Sequence, residues 1–311
     1  MKSIVTGGAG FIGSNLVKRL VSEGHDVVVL DNLRRGNKLD KDTMGSVDLT
    51  VGDVRDEDVV QKSVRGCDLI FHFASILGVD IVADNPVETM DTEVIGLKNV
   101  MNAAIRHGIE KTIYASTSGV YGKAAIERAV DEEFHVSPSS SYSISKRYCE
   151  IYLKSLYQEK NIQSISLRLF NVYGANQDNR MVIPRFFEQA INNESITVYG
   201  NGDQTRDFTY IDDVVEAIIQ VANVAKGCEI INISNSQESA IKDLAKEIVK
   251  MCESKSEIKF TNPVANRYDF EVERRYGSSQ KLFAITGFKP NTPLQIGLRK
   301  TLEYIKMKSN L

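Results

Sequence analysis

Directly after the β-branched run Ser3-Ile4-Val5 comes Thr6-Gly7-Gly8-Ala9-Gly10-Phe11-Ile12-Gly13, and this glycine loop limits what the chain can fold into more than any other stretch. A strand, a glycine-rich turn and the start of a helix follow one another in the order that a pyrophosphate site needs. In that arrangement Gly7 permits the turn, Gly10 lets phosphate groups approach the backbone, and Gly13 lets the helix lie close on the sheet. A helix beginning near Phe11 turns its free N–H groups and the positive end of its dipole towards the anion. The loop therefore predicts a dinucleotide-binding fold, with Gly7, Gly10, Phe11, Ile12 and Gly13 at the phosphates.

The rest of the chain repeats the same rhythm. Short apolar runs at Ser3 to Thr6, Asp26 to Leu30, Leu69 to Phe73, Thr112 to Ser116 and Ser164 to Leu169 read as strands buried on both faces. Between them, Ile12 to Glu23, Glu57 to Val64, Thr92 to His107 and Tyr142 to Glu159 carry apolar residues at helical spacing. The expected fold is α/β: a doubly wound, Rossmann-type parallel sheet over residues 1–173, with a smaller C-terminal substrate-binding lobe over 174–311 and the chain free to cross between them. In that second part Asn192 to Tyr210 is rich in turn formers, Ser239 to Cys252 reads as a helix, and Lys306 to Leu311 reads as a fraying helix end.

Composition narrows the function. With 25% charged residues, a net charge of -3 and cations scattered along the chain, no basic face offers itself to nucleic acid. The four cysteines show no paired spacing, which argues for thiols in a reducing compartment and against a metal site. No stretch is apolar enough to span a bilayer, and the chain enters a strand too early for a secretion signal, so a soluble cytoplasmic protein is expected.

Asp31 closes the second strand where an acid accepts hydrogen bonds from a ribose and repels a 2′-phosphate, which favours NAD over NADP. Arg34 and Arg35 stand close enough in sequence to argue the other way. Asp53 after Leu49-Thr50-Val51-Gly52 binds the adenine amino group, caps the helix that begins at Glu57, or does both. Further on, Tyr142 and Lys146 lie four residues apart on one helix face, a spacing that Tyr304 and Lys308 share by chance among 12 tyrosines. Tyr142 differs in its company, because Ala115-Ser116-Thr117-Ser118-Gly119 ends a strand at the sheet edge where such folds bind ligands; Tyr304 reads as surface.

These segments together resemble the extended short-chain dehydrogenases of the NAD-dependent epimerase/dehydratase family, and among them the nucleotide-sugar 4-epimerases of the UDP-glucose type. The likeness runs nearly end to end, through Asp31-Asn32-Leu33, Phe71-His72-Phe73-Ala74, Tyr142/Lys146, Arg168 to Gly174, Gln204 to Phe208 and Gly287-Phe288-Lys289-Pro290. It implies NAD contacts from Asp31, Asn32, Asp53, Val54, Phe73, Ala74 and Ser116, besides the glycine loop and the Tyr142/Lys146 pair. It also implies that Tyr142 moves the proton, that Lys146 tunes it and holds the nicotinamide ribose, and that Thr117 bonds the reacting sugar hydroxyl. The chemistry agrees: a tyrosine with a pKa of about 10 becomes a usable base only when nearby positive charge stabilises its phenolate.

By the same resemblance Asn171, Arg206 and Arg267 hold the diphosphate of a nucleotide-activated sugar. Surface or inter-lobe salt bridges are the plainer reading for both arginines. The position that gates the sugar pocket falls at Arg274 or Arg275, with either exclusion of sugar substituents or pairing with an acidic sugar as its consequence. Dehydratases and decarboxylases of the family carry an acid just after the catalytic Ser/Thr, where this chain has Ser118 and Gly119. A dehydrogenase releasing the keto sugar and NADH uses the same residues as an epimerase, while a non-catalytic NAD-binding protein has no need of the base. The family commonly pairs subunits through two helices each, so a homodimer is expected.

Overall fold

The computed structural model, which describes residues 1–123, 128–262 and 272–309, turns this alternation into a seven-stranded sheet. Its strands are β1 (Lys2–Thr6), β2 (Asp26–Asp31), β3 (Val47–Val51), β4 (Leu69–His72), β5 (Lys111–Thr117), β6 (Gln163–Leu169) and β7 (Cys228–Ile233). They lie in the order β7-β6-β5-β4-β1-β2-β3, every neighbouring pair parallel. The order reverses beside β1, and the loops leaving the strand ends there diverge to open a crevice. The seventh strand comes from residue 228 onwards, so the chain returns to the main sheet well after residue 174.

Helices cover both faces. On one, Leu16, Val17 and Leu20 of α1 (Phe11–Ser22) are buried in the same cluster as helix residues Val214, Ile218 and Val221. On the other, Val60 and Val64 of α2 (Glu57–Val64), Leu97 and Val100 of α3 (Pro86–His107) and Leu153 of α4 (Ser141–Lys160) form a second cluster. Each such side chain removed from water contributes about 1.5–3 kcal/mol, so a sheet sandwiched this way is held from both sides. The Val214 helix is α5 (Ile211–Val224).

Local chemistry sets the helix limits. Pro86 stands at the first helical position of α3, where its missing N–H costs nothing, and Gly108 ends the helix in the left-handed region. The helix thus starts six residues before the expected Thr92, because Pro86 opens it. Ser140 and Ser143 cap α4 reciprocally: each hydroxyl accepts the other's backbone N–H at 3.1 Å. In the C-terminal part, Ile241–Met251 forms the helix read from Ser239 to Cys252, while Glu238–Ala240 is a strand pairing with Thr205–Asp207. The last helix extends to Ser309, and Asn310 and Leu311 lie outside the described residues.

Candidate active site

Gly7 adopts φ +70°, and a Cβ there would lie 2.6 Å from the Ala74 nitrogen. At Gly13 a Cβ would lie 2.1 Å from the Gly7 carbonyl, so the loop can sit against both the helix and the exit of β4 only with glycine at these places. Thr6 fixes that exit: its hydroxyl accepts the N–H groups of Phe73 and Ala74 at 3.2 and 3.3 Å and pairs with His72 Nδ1 at 2.7 Å. Gly10 precedes α1 with no side-chain cap, and the first turn holds no acid. Such a helix end, bare of its own anion, suits a pyrophosphate.

Asp31 accepts the N–H groups of Ala9 at 3.0 Å and Leu33 at 2.8 Å, so it braces the glycine loop as well as facing the crevice. Burial pushes its carboxyl up, against those donors. Arg34 is paired with Glu88 at 2.8 Å and Arg35 with Asp178 at 3.3 Å, Glu88 being shared with Arg55 and Asp178 with Arg180. Asp53 does not cap α2. Asp56 does, accepting from Asp58 and Val59, while Asp53 accepts from the Arg55 backbone and guanidinium.

At the centre, a cleft of about 380 Å³ opens over the strand ends. It is lined by Gly7, Gly10, Phe11, Ile12, Gly13, Asp31, Asn32, Asp53, Val54, Phe73, Ala74, Ser116, Thr117, Tyr142, Lys146 and Asn171. Residues as far apart in sequence as Gly7 and Arg275 are thus brought to one cavity. Tyr142 shares the cleft with Thr117 and Ser75, and the Lys146 ammonium lies 5.5 Å from the centre of its ring. Lys146 is 1% exposed and donates to the Ala115 carbonyl at 2.7 Å.

The phenol departs from the expectation built on Lys146 alone. Burial pushes Tyr142 up from its ordinary value; Lys146 pulls it down, and a carboxylate, Glu93, pushes it up again. Glu93 is completely buried on α3, its Oε2 lies 2.8 Å from Lys146 Nζ, and its Oε1 accepts the Ser75 hydroxyl. Neither Glu93 nor Ser75 was singled out from sequence. The signal was present: Glu93 is an acid on the buried stripe Thr89, Thr92, Gly96, Leu97, Val100 of α3. Ser116, at the cleft wall, gives its hydroxyl to Glu150 at 2.7 Å, and Arg168 grips the same carboxylate with two bonds of 2.9 Å.

On the far wall the sequence is less well matched. Asn171 donates to the Asp207 carbonyl at 3.1 Å and lines the cleft. Arg206 does not line it: its Nη1 donates to the carbonyls of Thr205 and Val272. Arg275, opposite Arg206 in the paired strands, does line the cleft, as do Arg180, Arg34 and Arg35. Arg275 is pushed down to about 10 by burial and the charge of Arg206, which leaves it cationic at neutral pH, and its guanidinium meets the Gly122 carbonyl at 3.4 Å. Arg274 instead pairs outside with Glu238, and Arg267 lies outside the described residues. Tyr304 is half-buried, not surface, and donates to Asn176. Among the described residues no three His, Cys, Asp or Glu side chains gather as a metal site, and no helix is long and apolar enough to cross a membrane.

A bare helix N-terminus, an acid at the ribose position and a buried Tyr/Lys pair in one crevice define a nicotinamide-dinucleotide enzyme on a doubly wound sheet. The chain matches the model of the NAD dependent epimerase/dehydratase family over residues 3–234 and belongs to that family, with NAD as its cofactor. It is 32% identical, over 99% of both chains, to a UDP-N-acetyl-alpha-D-glucosaminuronate decarboxylase of Bacillus cytotoxicus. It is 33% identical, over 97% of this chain and 98% of the other, to a putative UDP-glucose 4-epimerase of Methanocaldococcus jannaschii. Among solved structures, the UDP-glucose 4-epimerase of Thermotoga maritima with UDP-glucose superposes with a TM-score of 0.93 at 29% identity, covering 99% of this chain and all of that one.

Proposed function

We propose that this protein epimerises a nucleotide-activated sugar at C4 through a transient 4-keto sugar. The observation that carries the reading is the meeting of Thr117, Tyr142 and Lys146 in the cleft that also holds the glycine cradle. Bound NAD supplies a hydride acceptor and returns the hydride. The chain does the rest. Thr117 orients the C4 hydroxyl, the Tyr142 oxygen takes its proton and later gives it back, and Lys146 holds positive charge beside that oxygen. The nucleotide diphosphate is held by Asn171 and Arg275, which line the cleft, and by Arg267; Arg206, beside Arg275 in the paired strands, reaches it only by leaving the backbone carbonyls it bonds. Two guanidinium groups suit phosphate oxygens and leave the sugar free to turn over.

Relatives of similar likeness are decarboxylases, so the choice of reaction rests on the strand end after Thr117. Ser118 and Gly119 form a short turn there whose Gly119 N–H donates to the Thr117 hydroxyl at 3.0 Å, leaving no carboxylate for a second proton step. A homodimer through α3 and α4 fits the apolar side chains these helices leave in solvent, Ile95 and Met90 on one and Ile144, Tyr148 and Ile151 on the other. The test is to supply NAD and a panel of UDP-, GDP-, CDP- and dTDP-sugars and follow NADH absorbance and product stereochemistry. An inverted C4 without net NADH supports the epimerase; stoichiometric NADH with a free keto sugar replaces it by a dehydrogenase. Tyr142→Phe should lower turnover by at least about 10²-fold.

A further inference from the structure

Among the cations that line the cleft, Arg35 stands apart by what its side chain crosses. It belongs to the turn after β2, where the Gly36 N–H donates to the Leu33 carbonyl at 2.8 Å. Three residues after Arg35 the Lys38 N–H donates to the Ala9 carbonyl at 3.0 Å, which lays the turn against the glycine loop. The Asn176 side chain ties it from the other side, donating to the Lys38 carbonyl at 3.3 Å and to the Ser14 hydroxyl of α1 at 3.1 Å. The guanidinium of Arg35, however, ends by the segment that leaves β4: a Cβ on Gly78 would lie 3.3 Å from its Nη2. In the sheet β1 lies between β2 and β4, and the glycine loop is the exit of β1. A side chain that starts beyond β2 and ends beyond β4 therefore passes across the mouth of the glycine loop, and both line the same cleft.

Its fork of donors is only half used. Nη1 donates to Asp178 at 3.3 Å, but Nη2 is closed to water and has no partner among the described residues. Arg180 already holds the same carboxylate with Nε at 2.9 Å and Nη2 at 2.7 Å. Lys38 lines the cleft with them; burial pushes it down, and Lys308, Arg180 and Arg35 push it the same way against the pull of Asp178. Arg35, Lys38 and Arg180 thus share one acid, and a buried donor without an acceptor is costly. An anion meets both deficits. Two diphosphates enter this cleft, that of the dinucleotide and that of a nucleotide sugar, and the turn's place on the glycine loop selects the first.

We propose that Arg35 closes over the diphosphate of bound NAD, as the second jaw of a clamp whose first jaw is the glycine loop with the N-terminus of α1. Nη2 gives a phosphate oxygen a charged hydrogen bond while Asp178 keeps Nη1, so the guanidinium is held at both ends. The first jaw offers backbone N–H groups and a helix dipole; the second adds a whole positive charge from the opposite side. This use of Arg35 differs from the one its sequence position suggests, a hold on a 2′-phosphate. The clamp concerns the cofactor alone and stands whichever sugar reaction the protein performs.

Calorimetric titration of the nucleotide-free protein with NAD, ADP-ribose, NADP and UDP tests it. In Arg35→Met, which keeps the apolar stem and loses the cation, NAD and ADP-ribose should each bind about 10-fold more weakly, with UDP binding as in the wild type. The salt dependence of NAD binding should flatten in the same variant, because one cation fewer meets the diphosphate. Asp178→Asn keeps an oxygen for Nη1 and removes a competing negative charge, so NAD should bind at least as tightly as in the wild type. An ion pair that merely shapes the turn gives the opposite pattern: both variants lose affinity together and their salt dependence stays that of the wild type, which overturns the clamp. So does NAD binding within about two-fold of wild type in Arg35→Met. A loss confined to NADP overturns it by placing Arg35 at the 2′-phosphate, and a loss confined to UDP by giving it to the sugar nucleotide. Thermal unfolding checks each variant; Arg35→Lys, which keeps the charge without the fork and should lose only part of the affinity, carries the test should Arg35→Met not fold.

Discussion

The cofactor wall of the cleft is a glycine loop braced by backbone contacts, such as the N–H of Ala9 on Asp31 and those of Phe73 and Ala74 on Thr6. Behind the substrate wall, Asp207 binds the Ser234 hydroxyl and the backbone N–H groups of Asn235, Ser236 and Gly277. One wall is a backbone shape that glycines permit. The other is backed by a polar knot around one buried acid. A shape of this kind fails when atoms are added, and a knot fails when charge or hydrogen bonding is changed.

The largest effect should therefore come from one methyl group in the first wall. In Gly13→Ala the new carbon would meet the Gly7 carbonyl at 2.1 Å, and the atom that must yield is backbone. The loop has to shift away from the phosphates, and NAD affinity should drop about 10³-fold, roughly 4 kcal/mol. Calorimetric titration with NAD, alongside circular dichroism to check the fold, measures it. Binding within a few-fold of wild type would mean that the loop is softer than its contacts imply.

The second wall should betray itself through pH. Burial pushes Asp207 up from 3.8 to about 6, against its four donors. The folded protein thus holds this proton more tightly than the unfolded chain, so the associated stability is full below pH 3.8 and is lost as pH rises through about 6. The loss is up to about 3 kcal/mol, and Asp207→Asn, which cannot titrate, should lack it. Urea unfolding of both proteins across that window gives the difference directly; parallel curves would show that Asp207 is solvated and the knot loose.

This contrast explains what the sequence made legible. The glycine loop, the strand ends and the Tyr142/Lys146 spacing are local patterns, and the parallel sheet converts local position into a place at one edge. Arg206 is expected at the diphosphate because the segment Gln204 to Phe208 is a recognisable run, whereas Arg275, one of two candidates for the gate of the sugar pocket, owes its place to strand pairing with Arg206, a contact that no spacing encodes. Asp53 was offered as a helix cap three residues from the true one, Asp56, since both are aspartates before the same helix. Glu93 was missed for a different reason: a glutamate within a helix reads as solvated until its stripe is seen to face the site.

Arg275 tests whether the two walls are independent. Arg275→Met keeps much of the side-chain bulk and removes the cation from the cleft. The KM for the nucleotide sugar should rise about 10-fold, the value of one charge-assisted contact to phosphate, with NAD affinity unchanged. A parallel loss of NAD binding would join the walls into one unit, and no change at all would return the diphosphate to residues elsewhere.

The smallest effect is expected at Asp31, where the cofactor wall meets charge rather than shape. Arg34 and Arg35 line the cleft with Asp31 but are engaged by Glu88 and Asp178, so the carboxylate of Asp31 opposes a 2′-phosphate beside cations that are already partly neutralised. Asp31→Asn removes that repulsion while keeping an oxygen for the Ala9 or Leu33 N–H. Unit charges about 4 Å apart near water interact by about 1 kcal/mol, so the preference for NAD over NADP should narrow roughly five-fold. Because the half-buried Asp31 faces a cleft that ions can enter, the change should shrink further as salt is raised. A far larger loss, or one that salt leaves untouched, would mean that Asp31 acts by bracing the glycine loop, and would move it from the electrostatic part of the wall to the shape.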